Sequence, residues 1–171
     1  MRKSYFIILF IVLGVAFLII YANLGGFKDI QVEKKELSEI RLKGKYFRGT
    51  PLDPELEKTF QEIQAESKNQ SENSFYTIYI LEPAGKTDTL HVFVGLEDLN
   101  LNYPKNWDSL NFTKGVYLTA SIESHPLVMP SPESVKEAII SFALQEELPK
   151  PLLFIEKIIA KNKVQVIAPI H

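Results

Sequence analysis

A chain of 171 residues with 46% apolar side chains can bury a genuine core, and 19 basic against 21 acidic residues, a net charge of −2, make no electrostatic case for nucleic acid. The lack of cysteine excludes disulfides, thiol catalysis and thiolate metal sites. His91, His125 and His171 are scattered without ligand spacing, so neither a metal nor another cofactor is expected. In chain order, the first element is the uncharged stretch 5–22, which at about 1.5 Å per residue crosses most of a hydrocarbon layer about 30 Å thick. A basic start and an apolar run of this length also fit a cleaved signal peptide, although Ile20-Tyr21-Ala22 is a poor exit site. Arg2 and Lys3 abut the stretch directly, which favours a single-pass anchor with the following domain on the external or periplasmic side. The expected division is residues 1–27 as membrane anchor and short linker, and residues 28–171 as the domain.

The domain reads as one unit written twice. Ile40, Leu42, Gly44 and Tyr46 alternate with Arg41, Lys43 and Lys45, the period of a half-buried strand. Asp53-Pro54-Glu55 then gives a helix cap, a first-turn proline and a first-turn acid, and Leu56, Phe60 and Ile63 form one apolar helix face. "FYTIYILE" and "DTLHVFVGLE" follow as a hairpin across Pro83–Lys86. After a loop rich in Asn and Asp, Val116, Leu118, Ala120 and Ile122 alternate with Tyr117, Thr119 and Ser121. Ser131-Pro132-Glu133 repeats the cap, Val135, Ile139 and Phe142 repeat the helical spacing, and "LLFIEKII" with "KVQVIAPI" supplies a closing hairpin. The fold class expected is α+β: duplicated β-α-β-β units in one antiparallel sheet, with two helices on one face and a cleft on the other.

These residues resemble the GyrI-like small-molecule-binding family, the effector-binding domain of bacterial multidrug-sensing regulators. Tyr46-Phe47-Arg48-Gly49 resembles its Tyr-x-x-Gly strand exit, and Gly115-Val116-Tyr117 its second-half Gly-x-Tyr. Phe154-Ile155-Glu156 followed by Val166–Ile170 is similar to its closing glutamate strand and terminal strand. An apolar span joined to such a domain also resembles the layout of an animal receptor for selective autophagy of the endoplasmic reticulum; this likeness is one of architecture and implies no autophagy role. No helix-turn-helix pattern is present, so the regulators' DNA-binding role is not implied either.

Glu156 interrupts an apolar run, sharing a strand face with Leu152, Phe154 and Ile158. A carboxylate withdrawn from water has to be paired, protonated or met by a cation. The resemblance implies the last: a lipophilic cation held by a carboxylate among aromatic walls, for which Tyr46, Tyr79, Phe93, Trp107, Tyr117 and Phe154 are the candidates. Phe93 and Phe154 fit plain core better than a pocket wall, Tyr117 fits open solvent as well as the cleft, and Trp107 fits either a lid or an anchor for a protein partner. Where the family follows its glutamate two residues later with Tyr, this chain has Ile158. The leading expectation is a membrane-anchored, non-catalytic binding domain for a small amphipathic ligand, lipophilic cations included. The alternatives are a protein-interaction scaffold with a vestigial pocket, and a GyrI-like hydrolase pairing Tyr46 or Tyr117 with Glu156.

Overall fold

The computed structural model describes residues 2–26, 28–69 and 74–170. Helix α1, Arg2–Asn23, is long and apolar enough to cross a membrane, and its stretch from Phe6 to Asn23 is not buried against the rest of the chain. Gly25, at a φ of 88° that glycine adopts without strain, turns the backbone out of this helix. The turn is held to the rest of the protein, since His125 N–H donates to the Leu24 carbonyl at 3.0 Å and Lys28 Nζ to the Glu123 carbonyl at 3.1 Å.

Two units follow. The first is β1 (Val32–Leu37), β2 (Ile40–Gly49), α2 (Pro54–Asn69), β3 (Phe75–Leu81) and β4 (Leu90–Glu97). The second is β5 (Asp108–Phe112), β6 (Gly115–Glu123), α3 (Pro132–Gln145), β7 (Ile155–Ala160) and β8 (Lys163–Pro169). Both caps form as their sequences dictate: the Asp53 carboxylate accepts from Glu55 N–H, and the Ser131 hydroxyl from Ser134 N–H. The strands make one antiparallel sheet of eight, ordered β1-β6-β8-β7-β3-β4-β2-β5. Each unit therefore carries one more strand than the sequence pattern showed. These extra strands are exchanged: β1 lies on the outer edge of the second unit, and β5 on that of the first.

Two helices lie on one face, as the repeated apolar stripes require. Over the first unit, Ile63 of α2 packs on Phe47, Val92, Val94 and Leu96; over the second, Val135, Ile139 and Ala143 of α3 pack on Leu118, Ala120, Val166 and Ala168. The opposite face curls into a half-barrel whose hollow is filled by Ile40, Leu42, Tyr76, Ile78, Phe93, Tyr117, Ile155 and Ile167. Gly44 faces Gly95 across β2 and β4. A Cβ on Gly44 would stand 2.1 Å from the Val94 carbonyl oxygen, so this approach of two backbones excludes any side chain.

Candidate functional site: the cleft between the helices

The site is built from the meeting of the two units. α2 contacts β2 and β4 and α3 contacts β6, β8 and β1, which leaves the central strands β7 and β3 as the floor of a gap between the helices. Alternation along β7 turns Ile155 into the half-barrel core and Glu156 the other way, level with Val166 of β8 and Thr77 of β3. Val166 belongs to the layer beneath α3, so Glu156 stands on the helix-bearing face. The cleft that receives it thus opens between α2 and α3, whereas the hollow of the half-barrel, opposite the helices, is packed with side chains.

Glu156 joins two adjacent hollows. One, of about 260 Å³, is polar and lined by Tyr79, Glu82, Glu133 and Lys136. The other, of about 330 Å³, is apolar and lined chiefly by Ile122, Met129, Val135, Ile158, Val164 and Val166. Lys136 Nζ pairs with the Glu82 carboxylate and sits 5.7 Å from the centre of the Tyr79 ring and 5.8 Å from that of Phe154, a cation held over two aromatic faces. No hydrogen bond or ion pair to the Glu156 carboxylate is found among the described residues. Burial raises its affinity for a proton above that of an ordinary carboxylate; Lys136 acts the other way, and Glu82 and Glu133 add to the rise. Burial, with Glu156 and Glu82 behind it, likewise raises the Tyr79 phenol.

Of the residues singled out in the sequence, the structure brings Glu156, Tyr79 and Phe154 together around Lys136. The others lie elsewhere. Tyr46 and Phe93 pack edge to face, 5.0 Å between ring centres, on the concave side of the sheet, with Tyr46 41% exposed at its rim. Tyr117 is buried in that same concave core and donates to the Thr113 carbonyl. Because side chains alternate across a strand, Tyr46 and Tyr117 point away from the face of Glu156, and the Tyr/Glu pair of a hydrolase reading is not formed by either. Trp107 is neither lid nor exposed anchor: it is buried in the layer under α2, stacks on Tyr103 and donates to Glu62 at 3.2 Å. Leu152 precedes the strand and is exposed.

Lys136 and Glu82 were not read from the sequence as site residues. The signal available for Lys136 was slight, since it follows Val135 and so flanks the apolar stripe of α3. Glu82 follows the last residue of β3 and offered no pattern.

No protein-family model matches the chain, and no curated relative does. Solved structures match its shape. The C-terminal domain of EcmrR superposes with a TM-score of 0.58 at 12% identity, over 83% of this chain and 98% of that one. A hydrolase from Listeria innocua gives 0.55 at 11%, over 84% and 93%, and an integron cassette protein from the mobile metagenome of Vibrio cholerae 0.52 at 15%, over 82% and 95%. At such identities the likeness establishes a shared fold: a curled antiparallel sheet with helices on one face, the architecture that the GyrI-like resemblance implied.

Proposed function

We propose that this protein is a membrane-tethered, non-catalytic binding module for small amphipathic cations, with Glu156 as the counter-charge. The observation that carries the reading is a half-buried carboxylate without a partner among the described residues, on the floor of a cleft that offers aromatic rings on one side and an apolar trough on the other. A cation with a hydrophobic body removes the cost of that lone charge while covering apolar surface. The shared fold with the effector-binding part of a regulator is in keeping with a binding role for the cleft. On this reading residues 1–27 are anchor and linker, residues 28–171 the domain, and the domain lies outside the membrane's cytoplasmic face, as Arg2 and Lys3 favour. Digestion of intact cells by added protease checks the orientation, and full protection until lysis would reverse it.

The test of binding is calorimetric titration of the full chain with tetraphenylphosphonium, benzyltrimethylammonium and a neutral aromatic of matching size. Glu156→Gln keeps the shape and removes the charge. The cations should lose about 1–3 kcal/mol of affinity and the neutral ligand almost nothing, since the full Coulomb attraction of a quaternary cation to the carboxylate is roughly 3 kcal/mol at about 5 Å and an effective dielectric constant of about 20.

A second reading is favoured by Lys136, which already places a cation over Tyr79 and Phe154. In that case the cleft is filled from within and the protein is an interaction scaffold whose pocket is vestigial. Heats indistinguishable from dilution for every cation would select it.

A further inference from the structure

The polar and apolar hollows that meet at Glu156 are ordered along one axis, and that axis leads to α1. The β7–β8 hairpin, the end of β6 and the turn after α1 lie together: Ser124 N–H donates to the Asn162 carbonyl, and His125 N–H to the Leu24 carbonyl. Tyr79 and Glu82 line the polar hollow, and Phe75, the register partner of Ile158, places the other end of β3 toward the hairpin. The apolar trough extends from Glu156 past Ile158 and Val164 to Ile122 and Pro130. Those last two residues also line a further hollow of about 340 Å³, shared with Gly25, Lys28 and Ser124 at the exit of α1. From Ala120, level with Glu156 across β8, to Ser124 the strand climbs about 13 Å, the reach of an extended decyl to dodecyl chain.

We infer that the ligand is a single-chain cationic amphiphile taken from the bilayer, its head group at Glu156 and its alkyl chain laid along Ile158, Val135, Met129 and Ile122 toward the membrane end of α1. This rests on the reading of Glu156 as counter-charge and of α1 as a span, and adds the chain, its direction and its source. Three facing carboxylates, Glu82, Glu133 and Glu156, against the one ammonium of Lys136 favour a cationic over an anionic head. The trough's volume, about 330 Å³, suits one alkyl chain rather than the pair carried by a phospholipid. Entry from the side of α1 confines the tail's exposure to the hollow lined by Lys28, Asp29, Glu123 and Ser124, whereas a head-first approach from solution would expose the whole tail.

The test uses the full chain in bilayer nanodiscs with dodecyltrimethylammonium carrying a photoreactive diazirine, either beside the head group or at the far end of the tail. Light-induced adducts are then mapped by peptide mass spectrometry. The head-group probe should mark Tyr79, Phe154 or Lys136, and the tail probe Ile122, Met129 or Pro130. Probe preloaded in the bilayer should label several-fold faster than probe added to the aqueous phase after mixing with empty nanodiscs. Met129→Trp fills the trough and should abolish tail labelling while leaving ethyltrimethylammonium binding at Glu156 intact; Ile158→Trp, at a position already 37% exposed, repeats the block should the first variant fold poorly. Tail adducts on Phe60 and Gln64, which line the hollow on the α2 side of Ile158, would overturn the inferred path and leave the Glu156 reading standing. Equal labelling rates from both phases would overturn the bilayer source. Absence of head-group labelling, or labelling unchanged by Glu156→Gln, would overturn both readings.

Discussion

Replacing Lys136 with Met tests whether the cleft holds a cation of its own. The substitution keeps an unbranched stem against Tyr79 and Phe154 and removes only the ammonium. Two ring contacts at 5.7 and 5.8 Å are each worth about 0.5–1 kcal/mol. The pair with Glu82, whose side chain is 54% exposed, adds only about 0.2–1 kcal/mol after screening. Since the Lys136 side chain is 14% exposed, the ammonium has been desolvated in part, and relief of that cost offsets some of the loss. The net expectation is a destabilisation of about 1–2 kcal/mol, or about 2–8 °C in melting temperature for a protein of this size. Binding should move the other way. With the resident ammonium gone, a small quaternary ammonium no longer meets a like charge at Tyr79 and Phe154, and its affinity at alkaline pH should rise several-fold. Lys136 is also the group that draws the Glu156 proton affinity down, so the variant should need a higher pH than wild type before cation binding reaches its plateau. Melting curves and tetramethylammonium titrations across pH, on wild type and variant in parallel, read both effects. A variant that binds cations more weakly at every pH, or that loses affinity for an anion instead, would refute the account of Lys136 as a resident cation.

Glu156→Gln should stabilise the protein at neutral pH: the folded-state carboxyl holds its proton more tightly than in the unfolded chain, so the penalty is absent below the unfolded value of about 4.3 and grows as pH rises through the raised folded value. Melting temperatures of wild type and variant should therefore converge in acid and separate toward neutrality, and a constant gap would remove Glu156 titration as the cause. Gly44→Ala forces a methyl against the Val94 carbonyl and should cost at least about 1–3 kcal/mol by chemical denaturation; an unchanged midpoint would mean the curl does not depend on that close approach. The fragment 28–171 should melt cooperatively without α1, because α2 and α3 cover one face of the sheet and the other packs its own side chains into the half-barrel; an aggregated fragment with no transition would make α1 part of the fold.

What could be read in advance divides by the range of the interaction responsible. Caps at Asp53 and Ser131 act within one helical turn, and their helices begin where the residues say. The alternation around Glu156 gave part of its company, with Phe154 and Ile158 on its side and Ile155 opposite, but not Leu152, which precedes the strand and is exposed. Which of those sides would carry the helices was beyond a local pattern, because both are apolar; the choice is made with β3, far away in sequence, which pairs with β7, and with α3, which docks on β6 and β8. Strands β1 and β5 escaped notice for a related reason. Val32–Leu37 reads Val-Glu-Lys-Lys-Glu-Leu and Asp108–Phe112 carries polar residues at most positions, the dress of edge strands, which have little apolar alternation to display. Tyr46, read from the sequence as a wall of the cleft that holds Glu156, lies on the opposite face of the sheet at the open rim of the half-barrel, because the parity that links two distant strands is set by their pairing and not by either one's own alternation.

The exchange of β1 and β5 between the units has a consequence for how the protein is made. β1 leaves the ribosome soon after α1, yet its partner in the sheet, β6, is synthesised after the whole first unit. Meanwhile β2 waits for β5 to close its free edge. Each half thus spends part of its birth with an open strand edge, the situation in which nascent sheets recruit wrong partners. The charges that hid β1 from view, Glu33 through Glu36, suit this interval: an edge bearing two acids and two bases in succession remains hydrated and offers a poor template to a neighbouring copy. Neutralising Lys34 and Lys35 would then leave the finished protein nearly unaltered while lowering the yield of its assembly.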